Sequence, residues 1–148
     1  MVADVEVVRD REGRIRTYLR DLKALSAMPE DAFLQNRERQ YAILHALQLA
    51  IEASVDIATH ICAADDLGIP ASYAEAFDLL EKHGVLDLAL AEEMRTMARF
   101  RNRIVHFYGA VDLRIVYRVA QERLSDFNRY LAAIERYLGP APGGAPKA

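Results

Sequence analysis

Apolar residues recur at helical spacing along almost the whole chain, and no segment shows the strict alternation typical of a β-strand. The first helical segment spans about residues 4–26 and ends before Pro29, which disfavours further helix. After a short turn that begins at Pro29, the pattern predicts a second helix over about residues 36–62. Its apolar surface is so broad that we expect it to lie centrally and to pack on more than one neighbour.

Capping signals delimit the next two helices. Residues 63–71 are typical of a loop, and Ser72 followed three residues later by Glu75 forms a capping-box pattern that predicts the start of a third helix. Gly84 supplies a stop for this helix. A fourth helix should begin near Asp87 and end around residues 108–109.

A single long helix is predicted for the rest of the folded chain. Asp112 is a good N-cap, and after it apolar residues alternate steps of three and four as far as Leu138. The five helices and their short connections predict an all-α antiparallel bundle over residues 1–138, followed by a flexible Pro/Gly-rich tail over residues 139–148. The second helix or the seam of the last one could also serve a homodimer.

Composition narrows the class of protein. The chain has 148 residues, 52% of them hydrophobic and 28% charged, which is typical of one soluble domain. Its single cysteine, Cys62, excludes an intramolecular disulfide, argues against a zinc site and is expected to be a small buried hydrophobe.

The N-terminal segment bears on where the protein is located in the cell, and the net charge bears on whether it binds nucleic acid. No secretory signal begins the chain, and charges interrupt every helical segment, so we expect a cytoplasmic protein that does not cross a membrane. The net charge of −3 argues against nonspecific coating of nucleic acid, although a local basic patch stays possible.

The most reactive side chains gather in residues 99–108. Arg95, Arg99 and Arg103 are spaced four apart and predict one exposed basic stripe, which alone indicates no more than a solvated helix face. Arg101 falls instead on the apolar stripe of the fourth helix, so its guanidinium needs a partner there. That partner is either a structural ion pair or a bound phosphate group.

His106 lies five residues beyond Arg101, about 140° away around an ideal helix, whereas Asn102 is its neighbour on the same face. Arg101 and His106 could therefore converge only where the helix ends or across a dimer interface. Considered alone, a histidine near a helix C-terminus is more often a cap than a catalyst.

The stretch Arg101-Asn102-Arg103-Ile104-Val105-His106-Phe107-Tyr108 resembles the RX4HXY motif of the HepT-like HEPN ribonucleases, and residues 50–58 and 68–77 resemble that family's middle section. The resemblance implies a homodimeric endoribonuclease toxin that needs no metal or other cofactor. In it, Arg101 would hold the scissile phosphate and stabilise the transition state, and His106 would transfer the proton. Asn102 would support them or remain an ordinary surface amide.

The same resemblance implies how the activity is controlled. Family members are commonly paired with a nucleotidyltransferase antitoxin, MntA, which silences the toxin by attaching AMP to the tyrosine of the motif, here Tyr108. Bulky, negatively charged AMP two residues from His106 would block a phosphate-binding cleft by sterics and repulsion.

Two other classes of protein remain open on the residues alone. The chain could be a noncatalytic HEPN module that binds a nucleotide or a partner protein, or a structural helical dimer with an accidental motif. Glu52 and Asp56, at i,i+4, are a weak candidate for a metal or acid-base pair. The tyrosines of the last helix could stack on bases, although packing is the stronger interpretation: Tyr117, Tyr130 and Tyr137.

Overall fold

The computed structural model describes residues 4–106 and 108–139, and of Tyr108 the backbone alone. Within these residues the chain is all-helical, which confirms the predicted fold class, but it has seven α-helices and not five. They are α1 (Val5–Leu25), α2 (Glu30–Leu34), α3 (Arg37–Ala64), α4 (Tyr73–Lys82), α5 (Leu88–His106), α6 (Leu113–Glu122) and α7 (Leu124–Leu138), with a 3₁₀ turn at Tyr108–Ala110. The predicted flexible tail lies outside the described residues from position 140 onward.

Two differences account for the larger number of helices. The short helix α2 replaces the turn expected after Pro29, and the single last helix is divided at Arg123, whose φ of −115° and ψ of 5° are not helical. The division lets the two halves pack on partly different neighbours: both contact α1, but α6 contacts α2 and α3 whereas α7 contacts α5. A regular apolar seam predicts helix on both sides of such a break and cannot locate it.

The predicted helix starts are made by the expected side chains. Ser72 Oγ accepts the N–H of Glu75 at 3.1 Å, and the side chain of Asp112 caps α6. Glu75 Oε1 accepts the N–H of Ala71 at 2.7 Å, one residue earlier than a standard capping box. Asp87 Oδ1 accepts the N–H of Leu90 at 2.8 Å, which fixes the start of α5.

Helix α3 occupies the centre of the bundle, as its broad apolar surface predicted, and it contacts α1, α2, α4, α5 and α6. Cys62 is buried in it. The hydroxyls of Tyr117, Tyr130 and Tyr137 donate to Met28 O, Ser54 O and Asp65 Oδ2, so these tyrosines join the last two helices to the rest of the fold.

The expectation that charges exclude every membrane-spanning candidate was wrong for α3. By length and composition alone, this helix of the described chain could cross a membrane. Its most apolar 18-residue window is 61% buried inside the fold, however, which is typical of the core helix of a soluble protein.

Candidate functional site

Arg101 extends from α5 toward α3 and α4, where it has the partner that its position on the apolar stripe required. Its Nε and Nη2 donate to Oε2 of Glu52 at 2.9 and 2.7 Å. Its guanidinium carbon lies 4.6 Å from the centroid of the Tyr73 ring, within range of a cation–π contact. The side chain is only 18% exposed, so these contacts hold it in one orientation.

Glu52 is itself held in place. Gln48 Nε2 donates to Glu52 Oε2 at 3.1 Å, so three donors converge on one oxygen. The third nitrogen of the guanidinium, Nη1 of Arg101, lies 3.3 Å from Oδ1 of Asn102. One edge of the guanidinium is therefore fixed by a carboxylate, and Nη1 is left on the side of Asn102 at the protein surface.

The alternative reading of Glu52 as half of a metal or acid-base pair has no support in these contacts. Asp56 is 61% exposed and approaches Arg11 at 3.6 Å, while Glu52 binds Arg101. Among the described residues, no group of three or more histidine, cysteine, aspartate or glutamate side chains is placed to hold a metal ion.

His106 is exposed at the last residue of α5, and Asn102 is exposed one turn before it. Because α5 remains helical through His106, the end of the helix does not bring Arg101 and His106 together. Helix geometry keeps them about 140° apart around the axis and about 7.5 Å apart along it. Tyr108 is in the 3₁₀ turn that follows, and its side chain lies outside what the structure describes.

The basic stripe contains two arginines and not three. Arg95 is only 12% exposed and binds three carboxylates, those of Asp78, Glu81 and Glu92, at 3.0, 2.7 and 2.6 Å. Hydrogen bonds to these carboxylates, Glu81 first, raise the pKa of Arg95. Arg95 therefore joins α4 to α5, because α4 packs on this side of α5, which the spacing of the arginines could not reveal. Arg99 and Arg103 are exposed as predicted.

A separate titratable cluster lies where α1 contacts α7. Glu12 is 1% exposed. Burial, and then its hydrogen bond with Glu135, raise its pKa from 4.5 to about 7. The pKa of Glu135 changes in the other direction. Burial favours a higher pKa, but hydrogen bonds from Glu12 and Arg9 outweigh it, and the pKa is lowered. The carboxyl group of Glu12 therefore keeps its proton to a higher pH than that of Glu135.

Comparison with known proteins connects this arrangement to one family. The model of the family described as "Ribonuclease HepT-like" matches residues 15–134. The chain is 33% identical over 125 residues to "mRNA nuclease HepT" of Shewanella oneidensis, which covers 83% of this chain and 94% of that protein. It is 30% identical over 132 residues to "tRNA nuclease HepT" of Aphanizomenon flos-aquae, covering 89% and 90%.

A solved structure is also similar to this chain, both in fold and in sequence. It is a tri-AMPylated HEPN toxin of Shewanella oneidensis in complex with an MNT antitoxin. It superposes on the described fold with a TM-score of 0.81 at 29% identity, covering 86% of this chain and 96% of that one.

Proposed function

Because the chain belongs to the HepT-like ribonuclease family, we propose that it is the endoribonuclease toxin of a toxin–antitoxin pair and that Arg101 and His106 cleave the RNA. Residues 1–138 form the single domain that carries this activity, which requires no metal or other cofactor. The observation that supports the site most strongly is the oriented guanidinium of Arg101 on the same helix as the exposed His106, although the two point to different sides of that helix.

The contacts of Arg101 suit the binding of a scissile phosphate. Glu52 and Tyr73 fix the plane of its guanidinium before any substrate arrives, so little orientational freedom is lost on binding. Nη1, on the side of Asn102, is directed to the surface where a phosphate oxygen can accept a hydrogen bond. Stabilisation of the extra negative charge on that oxygen in the transition state is the role we assign to Arg101.

His106 supplies the proton transfer. The 2′-oxygen attacks the adjacent phosphorus as its proton passes to an imidazole, and the bond from phosphorus to the 5′-oxygen breaks as that oxygen takes up a proton. The products are a 2′,3′-cyclic phosphate and a 5′-hydroxyl, so the reaction needs no oxidant and no hydrolytic water in this step. An imidazole suits both transfers because it titrates near neutral pH.

A homodimer completes the site. Since Arg101 and His106 diverge by about 140° around one α5, a second copy of the helix lets the arginine of one protomer and the histidine of the other face one cleft. Two imidazoles in that cleft can divide the work, one accepting the proton of the 2′-hydroxyl and the other protonating the leaving oxygen.

The partner and the means of control follow from the same family relation. We assign to the chain an MntA-like nucleotidyltransferase antitoxin that attaches AMP to Tyr108, two residues beyond His106. The added phosphate and adenosine would exclude an RNA phosphate from the cleft by charge and by size. Toxin, antitoxin and RNA would meet in the cytoplasm.

The test is induced expression of the parent and of His106→Ala in matched cells, with total RNA examined for discrete cuts. His83→Ala is the matched control, since His83 is also an exposed histidine at a helix C-terminus. We expect growth arrest and RNA cuts with the parent and His83→Ala but not with His106→Ala. If the three proteins act alike at equal soluble expression, the assignment of His106 is wrong, and RNA binding without cleavage would then favour a noncatalytic HEPN module.

A further inference from the structure

Helix α5 presents a second exposed face, on which Arg101 does not lie. Arg99, Arg103 and His106 are spaced by four and three residues, so all three lie along one side of the helix, and all three are exposed. Within residues 4–106 and 108–139, Arg99 and Arg103 make neither a salt bridge nor a side-chain hydrogen bond. Arg95 and Arg101 on the same helix are, in contrast, tied to carboxylates.

A groove runs beside this face, between α5 and the helices α6 and α7. It encloses about 320 Å³, with Arg99 and Arg103 on its rim and Phe100, Ile115 and Val119 among its apolar lining. A second groove of about 290 Å³ shares Phe100, Arg103 and Ile115 with it and extends toward the start of α6. Apolar surface flanked by cations therefore leads along α5 toward His106.

The acidic residues of the groove do not cancel this positive charge. Glu93 and Asp126 also line it, but Nη2 of Arg129 lies 2.6 Å from a carboxylate oxygen of each. Asp126 has an additional contact with Arg123 at 3.6 Å, and its side chain is only 3% exposed. The positive charge that remains available at the rim of the first groove is thus that of Arg99 and Arg103. The second groove is also lined by Asp112, whose side chain caps the start of α6.

We propose that this face binds single-stranded RNA next to the scissile phosphate, with Arg99 and Arg103 holding backbone phosphates and the groove at Phe100 receiving an unpaired base. The inference rests on the proposed function, which places the scissile phosphate in a cleft between His106 of one protomer and Arg101 of the other. A strand bound there and running along α5 passes Arg103 one helical turn away, about 4.5 Å along the axis. Free guanidinium groups attract phosphate, and an aromatic ring beside them stacks on any unpaired base.

An RNA strand explains this surface better than a second protein chain. Two unneutralised guanidinium groups buried against protein would need carboxylate partners, whereas a phosphate backbone supplies negative charge at every nucleotide. The second groove is lined by Arg103 and Ala110, three residues before and four residues after His106 in the chain, so the same strand can reach both the groove and His106.

The experiment measures binding of a short fluorescein-labelled single-stranded RNA by anisotropy, with every variant made in the non-cleaving His106→Ala protein. The test variant is Arg99→Gln/Arg103→Gln. Its matched control is Arg20→Gln/Lys23→Gln, which removes the same charge from exposed positions of α1. We expect Kd to rise about 10-fold for the test pair and less than about twofold for the control. The slope of log Kd against log salt should also fall by about 1.4, since about 0.7 is lost per phosphate contact on a single strand.

A third variant tests the contact between Phe100 and the base separately from the phosphate contacts. Phe100→Leu keeps an apolar side chain in the groove but removes the ring, so it should weaken binding of the single strand by about fivefold or more while leaving the salt slope unchanged. An unchanged salt slope in Phe100→Leu, together with a reduced salt slope in Arg99→Gln/Arg103→Gln, would distinguish the contact to the base from the contacts to the phosphates.

The proposal is overturned if Arg99→Gln/Arg103→Gln binds RNA with the Kd and the salt slope of the control. It is also overturned if light scattering shows that only this variant changes oligomeric state, because the face would then be an interface between copies. Failure of the proposed function is visible separately, as absence of RNA cleavage by the parent, and it leaves the binding result readable.

Discussion

Glu52→Gln tests whether the orientation of Arg101 matters for cleavage. Glu52 Oε2 accepts from Arg101 Nε, Arg101 Nη2 and Gln48 Nε2 at 2.9, 2.7 and 3.1 Å. Glutamine has the same shape and keeps one oxygen acceptor, but it has no charge, and its amide nitrogen cannot accept a hydrogen bond. The change therefore loosens the guanidinium without opening a cavity.

The expected loss of stability follows from how exposed the side chains of Arg101 and Glu52 are. Hydrogen bonds to charged groups contribute about 1.5–3 kcal/mol, whereas exposed ion pairs contribute about 0–1 kcal/mol. Arg101 and Glu52 are 18% and 26% exposed, so we expect a loss of about 1 kcal/mol in the free energy of unfolding. A misplaced catalytic group can cost far more in rate, and we expect kcat to fall about 10- to 100-fold with KM changed by less than about threefold.

The assay is cleavage of a defined RNA by purified protein under saturating and limiting substrate, with unfolding in urea measured in parallel. Asp56→Asn is the matched control, because it removes one charge from the next turn of α3 at a side chain that is 61% exposed. It should retain parental kcat and KM.

Three results would refute the reasoning about Glu52. Unchanged kcat would mean that Arg101 needs no fixed orientation, and a higher kcat would mean that Glu52 competes with the phosphate for the guanidinium. A loss of activity that only follows the unfolded fraction would assign Glu52 to stability alone.

Further predictions concern the ring of Tyr73, the proton on Glu12, the buried Phe77 and the attachment of AMP to Tyr108. Tyr73→Phe should keep parental activity and Tyr73→Ala should lower kcat, since the ring and not the hydroxyl faces Arg101. Because the pKa of Glu12 is raised from 4.5 to about 7, the folded state holds a proton that the unfolded state releases. Urea denaturation should therefore show the free energy of unfolding falling between those pH values, and Glu12→Gln should flatten that decline. Phe77→Ala should cost about 3–5 kcal/mol in the same assay, because Phe77 is fully buried against Tyr130. Tyr108→Phe should keep RNA cleavage but take up no labelled AMP from the antitoxin.

Periodicity and capping residues were enough to predict most of the fold. The central place of α3 followed from an apolar surface too broad for one neighbour, and the starts of α4 and α6 followed from Ser72 and Asp112. The break at Arg123 was missed because apolar spacing continues across it, and only the partly different neighbours of α6 and α7 require it. Tertiary packing is not encoded in the spacing of one segment.

The candidate site was only partly predictable, because its contacts also depend on tertiary packing. The register of Arg101 on the apolar stripe correctly predicted a partner, but the identity of that partner depends on α3 and α4, which are distant in sequence. Spacing alone therefore predicted no contact of Arg101 with Glu52 or with Tyr73. One signal was present for both residues, since Glu52 and Tyr73 belong to the two stretches that resemble the family. Arg95 was placed in the exposed stripe because spacing cannot show that α4 covers it.

The most direct test of the central claim is cleavage of a defined RNA by the purified protein, compared with the same RNA carrying a single 2′-deoxynucleotide at the cut site. The account predicts that the parent cuts the RNA to a 2′,3′-cyclic phosphate and a 5′-hydroxyl, leaves the deoxy site intact, and loses all cutting in a folded His106→Ala protein. Equal cutting at the deoxy site, or an undiminished rate in His106→Ala, would contradict it.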